Sequence, residues 1–264
     1  MLGQIESNPE ATGQSKTTDE LKVKIDQQLY EVIKTCYRNL PYHNFSHAKE
    51  VANNSLLILD KINKKSLLTE PFNYDKIKEL LYLSALFHDA GHLYITTPDD
   101  ERKSAELAEK LLKRFWYSDL EIEYVKSLIL ATIFKDRWKI YEEWSLVQKV
   151  IADADIASSV ATNFDKFMSD NINLLIESLP QNKFLIKKNV LELPESKKWF
   201  IAFLTGITKN NNDPFLVKET NIVFPNFTFN KKKLDEYIPD QSLLNAFNKA
   251  WESFYWYTPT LLDK

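Results

Sequence analysis

Apolar residues recur at helical spacing through the first two-thirds of the chain. From Leu21 to Leu40 the stripe runs through Ile25, Leu29, Val32, Ile33, Cys36 and Tyr37, which predicts an amphipathic helix. Pro41 stops or tilts it. Ser46 is placed to cap a second helix, with Lys49 and Glu50 in the first turn and an apolar face through Val51, Leu56 and Leu59. A third helix is expected from Tyr74 to His88 on Ile77, Leu80, Leu81, Ser84, Ala85 and Leu86. Residues 92–103, with Pro98, Asp99 and Asp100, read as a loop. A fourth helix follows on Ala105, Ala108, Leu111, Leu112 and Phe115, and a fifth covers Leu120 to Phe134. A sixth starts near Trp144 and carries Val147, Val150, Ile151, Ala154, Ile156, Ala157 and Val160. Short connections between such helices predict an all-α bundle.

The pattern is less regular further on. A short helix is expected over 194–205, a turn-rich break over 210–214, and a C-terminal helix over 241–254. Residues 222–229 read as a strand or extended loop, although Pro225 argues against a central strand. The expected organisation is a loose polar tail over 1–19, a helical domain over 20–179, and a C-terminal extension of mixed or irregular structure over 180–264 that packs on the core.

Composition narrows the class. A chain of 264 residues with 44% hydrophobic and 13% aromatic content can bury a substantial core. Only 4 Gly and 10 Pro exclude collagen-like and glycine-loop architectures. The single cysteine, Cys36, cannot form an internal disulfide. A net charge of −3 gives no support to broad nucleic-acid binding. No apolar run approaches a membrane span and no signal-like core opens the chain, so a cytoplasmic protein without a membrane partner is expected. Homo-oligomerisation stays open.

The four histidines form two pairs, His43 with His47 and His88 with His92, each pair four residues apart. Around them stand Tyr42-His43-Asn44-Phe45-Ser46-His47, His88-Asp89-Ala90-Gly91-His92, Asp99-Asp100-Glu101 and Asp153-Ala154-Asp155. Neutral imidazole and carboxylate suit divalent metals of borderline to hard character. Adjacent side chains such as His88 and Asp89 diverge by roughly 100° on a regular helix. At a helix end, which Gly91 supports, they can still grip one ion. A histidine from another helix and a distant carboxylate would complete the ligands. Asp155 is the strongest such carboxylate, because it lies between Ala154 and Ile156 on an otherwise apolar helix, where a charge needs a partner. Asp153 points to another side of that helix and is the weaker ligand, suited to orienting the site.

These segments resemble the HD-domain superfamily of metal-dependent phosphohydrolases, whose signature is a His, a His-Asp pair and a distant Asp. The resemblance spans residues 30 to 165, and none is evident for 180–264. Tyr42-His43-Asn44 followed by His47, and His88-Asp89 with His92, are similar to motifs of the cyclic-nucleotide phosphodiesterases and of a bacterial branch of predicted phosphohydrolases. The resemblance implies His47, His88, Asp89 and Asp155 as metal ligands, with Asp89 able to bridge to a second, water-rich metal site. It implies attack by metal-bound hydroxide on phosphorus, His43 as the general acid, and His92 ordering water or a carboxylate beside the metal. Glu101 matches an acidic or amide position of the bacterial branch. Lys135 or Arg137 would contact phosphate.

The chain departs from the pattern by carrying no histidine after His92, and it lacks the Asp-His-Pro-Gly sequence of the phosphodiesterases. The implied activity is hydrolysis of a phosphoester in a nucleotide or related small phosphorylated metabolite. The alternatives are a cyclic-nucleotide phosphodiesterase specifically and a metal-containing nucleotide sensor without turnover. Mn²⁺ is the favoured metal, with Mg²⁺, Zn²⁺, Fe²⁺, Co²⁺ or Ni²⁺ compatible with the same donors.

Overall fold

The computed structural model describes residues 23, 25–92, 100–134, 137, 141–178, 205, 206, 208 and 213–236. These fold into nine α-helices: α1 (Gln27–Cys36), α2 (Phe45–Lys61), α3 (Tyr74–Phe87), α4 (Asp100–Arg114), α5 (Asp119–Leu130), α6 (Leu146–Val160), α7 (Phe164–Ser178), α8 (Lys218–Val223) and α9 (Phe227–Glu236). Two short 3₁₀ turns, Lys64–Leu67 and Tyr141–Glu143, lie between them. The described residues contain no β-strand, so the fold is all-α.

Several helices begin where a polar side chain takes up their free N–H groups. Asp26 accepts from Gln28 and Leu29 at the start of α1. Asn73 opens α3, and reciprocal capping boxes open α5 (Ser118 with Glu121) and α6 (Ser145 with Gln148). The cap of α2 is Asn44 and not the expected Ser46. Its Oδ1 accepts from the N–H of Ser46 and of His47, while its Nδ2 donates to the Leu40 and Pro41 carbonyls. Asn44 can do both because an amide carries acceptor and donor together. Two boundaries also move. α4 begins at Asp100, inside the expected loop, and α5 ends at Leu130 in a turn through Ala131–Ile133.

α2 lies at the centre, packed against α3 on one side and α6 on the other, while α5 packs on α3, α4 and α6. The core gathers Leu29 and Ile33 of α1, Val51, Ile58 and Leu59 of α2, Leu80 and Leu81 of α3, Val125 and Leu128 of α5, and Val147 and Val150 of α6. Burying each such side chain contributes about 1.5–3 kcal/mol. Apolar burial therefore holds the three segments that carry histidine and aspartate against one another.

The expected strand or extended loop at 222–229 is instead the end of α8, a turn at Pro225-Asn226, and the start of α9. The buried residues there are Thr220, Phe227, Asn230 and Leu234. The last three are helically spaced, and Asn230 donates to the Val160 and Thr162 carbonyls at the end of α6. That tertiary bond fixes a helix where the local apolar run suggested otherwise. Residues 1–19, 194–204 and 241–254, and Lys135, lie outside the described residues. Among the described residues, no helix is long and apolar enough to cross a membrane.

Candidate metal centre

Three helix segments converge on one buried cluster. His47 sits in the first turn of α2, immediately behind the Asn44 cap. His88 caps the end of α3, and Asp89 and His92 follow in the turn beyond it. Asp155 comes from the middle of α6. Gly91 lets this turn lie against α4: a Cβ there would stand 2.5 Å from both the Asp100 carbonyl oxygen and the Ser104 amide nitrogen. Its own N–H donates to Ser104 Oγ at 2.8 Å. Gly91 is therefore required by close backbone approach and not by a left-handed conformation.

The donor atoms face one another. His47 Nε2 lies 3.4 Å from Asp89 Oδ2 and 3.3 Å from Asp155 Oδ1. His88 Nε2 lies 2.9 Å and 3.6 Å from the same two oxygens. None of these approaches has hydrogen-bond geometry, and His47 Nε2, His88 Nε2 and Asp89 Oδ2 are buried without a hydrogen-bond partner. The opposite ring nitrogens are anchored. His88 Nδ1 lies 2.7 Å from the Ala85 carbonyl, to which it can only donate. His47 Nδ1 is 3.5 Å from Ser158 Oγ, whose own proton goes to the Asp155 carbonyl at 2.6 Å. A proton on Nδ1 leaves a lone pair on Nε2. Two such lone pairs and two carboxylates aimed at one another require a positive charge between them. Imidazole and carboxylate donors so arranged fit a divalent cation.

The electrostatics show the same demand. Burial pushes His47 down, but the facing carboxylates of Asp155 and Asp89 outweigh it and lift the imidazole to about 9. His88 rises well above its ordinary value against the same burial, through the Asp89 charge first. Burial raises Asp89 and Asp155, yet the surrounding histidines hold both below the ordinary carboxylate range. Without a cation the site takes up protons to balance its carboxylates.

A second cluster adjoins the first. His92 Nε2 lies 3.3 Å from Asp89 Oδ1, and the His92 ring stacks on His43 at 4.2 Å between centroids. A ring nitrogen of His43, an oxygen of Asp89 and a ring nitrogen of His92 all lie within 4.8 Å of one another, as do donors of His47, His88 and Asp89. The two overlapping clusters are each capable of coordinating a divalent metal ion.

His43 has a partner that sequence reasoning missed. Glu177 of α7 is buried and holds His43 Nδ1 with Oε2 at 2.5 Å. Its Oε1 accepts from the backbone N–H of His43 at 3.0 Å and also from that of Tyr42. Nothing around residue 177 marks it, since an acid near a helix end is ordinary and its partners lie 134 and 135 positions earlier. Asp100 was also unassigned. It is fully buried, with Oδ2 3.7 Å from His92 Nδ1. Glu101 stands close enough that, after burial, the charges of Asp89 and Asp155 help to raise its carboxyl.

Two expected site residues have other work. Arg137 is buried at 2% exposure and does not face solvent as a phosphate contact. Its Nη2 donates to Asp153 Oδ1 at 2.5 Å and to the Pro214 carbonyl at 2.7 Å. Asp153 also accepts from the N–H of Leu216 and of Val217 and from Thr220 Oγ1. The pair therefore fastens residues 214–220 to α6. A buried guanidinium needs a carboxylate, and a surface role was expected for Arg137 only because the sequence does not show Asp153 opposite it.

The HD domain family model matches residues 44–159, the stretch from the Asn44 cap through α6. Among solved structures, the phosphodiesterase domain of the Salpingoeca rosetta rhodopsin phosphodiesterase is similar at 18% identity with a TM-score of 0.50, covering 89% of this chain and 82% of that one. At that identity the likeness is one of fold. No curated protein sequence matches the chain.

Proposed function

We propose, from the premise that residues 44–159 are an HD domain with the fold of the metal-dependent phosphohydrolases, that this protein hydrolyses a phosphoester of a nucleotide or related small phosphorylated metabolite. The HD domain and its His/Asp cluster support phosphohydrolase chemistry in general. The narrower reading is carried by one observation: a buried centre that demands a cation lies beside a separate histidine, His43, held by a buried carboxylate.

His47, His88, Asp89 and Asp155 are the proposed ligands, with Mn²⁺ favoured. A divalent cation bound there supplies Lewis acidity toward a phosphoryl oxygen and acidifies a water. His43 acts as the general acid. Glu177 engages Nδ1 and two backbone N–H groups, which fixes the ring and leaves Nε2 to carry the proton given to the leaving oxygen. His92, stacked on His43 and 3.3 Å from Asp89, limits the movement of both. Because Glu177 belongs to α7, the proposed functional unit extends beyond the matched segment, and the domain over 20–179 with an extension after it remains part of this proposal.

Phosphorus NMR of the Mn²⁺-loaded full chain with a pool of cyclic and linear nucleotides, nucleoside monophosphates and dinucleotides tests this reading. The expected result is metal-dependent loss of one phosphoester signal, absent after chelation and in Asp89→Ala. Ring opening without free phosphate would identify a cyclic-nucleotide phosphodiesterase. No turnover by metal-loaded protein that binds a nucleotide tightly would replace hydrolysis with sensing.

A further inference from the structure

We infer that the surface cleft between the start of α1, α3 and the turn from α4 to α5 binds a small aromatic anion, a flat ring carrying a carboxylate or a phosphate. The cleft has a volume of about 620 Å³, within the range of small-molecule sites. It lies apart from the metal centre. Lys76 lines the cleft and His88 the centre, about 18 Å apart along α3. Binding here is independent of hydrolysis, so the two readings fail separately.

Trp116 lines the cleft with 93% of its surface exposed. Its φ of 63° lies in the left-handed region, where a bulky side chain is strained. The Trp116 N–H bonds the Lys113 carbonyl and the Tyr117 N–H bonds the Leu112 carbonyl. That is a Schellman turn at the end of α4, and its left-handed position favours glycine. With the ring in solvent, tryptophan adds little packing that glycine would lack, and it strains the backbone. A flat ring left open beside a cleft is instead a surface on which a second ring can stack.

The charges around the cleft select an anion. Lys76 Nζ lies 2.9 Å from both Glu79 Oε2 and Glu121 Oε1. Glu79 also accepts from the Tyr117 hydroxyl at 2.9 Å, and Glu121 from the Ser118 N–H and hydroxyl. Asp26 accepts two N–H groups at the start of α1, where the helix dipole favours negative charge. Each lining carboxylate thus has donors in place. Arg114 is exposed and pairs with no carboxylate among the described residues. A guanidinium presents parallel N–H donors that match a carboxylate or a phosphate. Trp116 and Arg114, two positions apart, therefore offer a stacking face and an anion donor to the same guest.

Isothermal titration calorimetry of the full chain with indole-3-acetate, tryptamine and adenosine 5′-monophosphate tests the site. The first two share a ring and differ in charge, and the third carries phosphate in place of carboxylate. The expected result is saturable binding of at least one of the two anions, with tryptamine much weaker. Binding of one anion and not the other identifies carboxylate or phosphate as the group recognised. Arg114→Gln and Trp116→Gly should each weaken that anion by about tenfold, through the lost charged hydrogen bond and the lost stacking face. Trp116→Gly should also raise Tm by about 2–4 °C, because glycine adopts the left-handed conformation without strain.

Three binding results overturn the site: no saturable binding of either anion, tryptamine bound as tightly as the anions, or anion binding unaltered in both variants. A lower Tm in Trp116→Gly makes the indole part of the packing and overturns it as well.

Discussion

Replacing Asp153 with alanine should destabilise the protein strongly without touching a proposed ligand. Asp153 is fully buried and Arg137 is 2% exposed, so the substitution leaves a guanidinium in the interior facing no carboxylate at that position. Breaking a buried pair on one side costs about 3–5 kcal/mol. The N–H groups of Leu216 and Val217 and the Thr220 hydroxyl lose their acceptor as well. Each costs about 1–3 kcal/mol if it stays buried. The 214–220 segment can instead lift toward water, which caps that part of the loss. The net expectation is about 4 kcal/mol, or roughly 10 °C in Tm for a domain of this size. Urea and thermal unfolding of the full chain, with and without metal, measure it. Arg137→Met in the Asp153→Ala background should recover part of the loss, because it removes a buried guanidinium that no longer faces the Asp153 carboxylate. A single-variant loss below about 1 kcal/mol, or strictly additive effects in the cycle, would refute the assignment of Asp153 and Arg137 as the fastening of this segment.

Four further outcomes follow from the site. Glu177→Gln should lower kcat by about 10–100-fold, the effect of losing a charge-assisted bond of about 1.5–3 kcal/mol, with KM changed little; steady-state kinetics check this, and an unchanged kcat removes Glu177 from the reaction. Asp155→Ala should lose metal and turnover together, and a folded variant that retains full metal content and activity would sink the ligand set. Metal-free protein should lose stability as pH rises from 6.5 through about 9: His47 is raised from 6.5 to about 9, so its contribution, about 3 kcal/mol at most, is complete below 6.5 and gone above 9. His88 and His92 act in the same direction. Asp89 and Asp155, both lowered, contribute above the ordinary carboxylate range and lose it as pH falls below. Bound metal should flatten the 6.5–9 limb in thermal scans, because the cation replaces the protons. Gly91→Ala should cost about 1–3 kcal/mol by chemical denaturation, since the obstructing atoms are backbone atoms of α4 and cannot swing aside.

The apolar stripes were legible because they depend on neighbours three and four positions away on a helix, whereas the histidine pairs stood out by their proximity in sequence although His43 precedes α2 and His92 follows α3. α3 runs almost as its stripe predicts, and Asp155 draws attention because a carboxylate on an apolar helix must meet something. Asp153, two residues earlier, is turned by roughly 200° around the same helix. The sequence shows that the two carboxylates differ in direction, but not that one meets histidines and the other meets Arg137 and residues 216, 217 and 220. Similarly, Ser46 is a good cap by composition, yet Asn44 wins because its amide also ties down the two carbonyls that precede the turn. Glu177 is the hardest case: one carboxylate gathers two backbone N–H groups and an imidazole from far upstream, and α7 carries other acids with no such role. Short-range spacing thus points to the proposed ligands, since their signature is clustered histidines at helix ends and an isolated charge on an apolar helix. What tunes them is the packing of α7 and of the 214–220 segment onto the bundle, and that information is distributed over contacts no short window contains. The residues that set the rate and the metal dependence should therefore be sought among Glu177, Asp100 and Ser158, behind the histidines, and not only among the histidines.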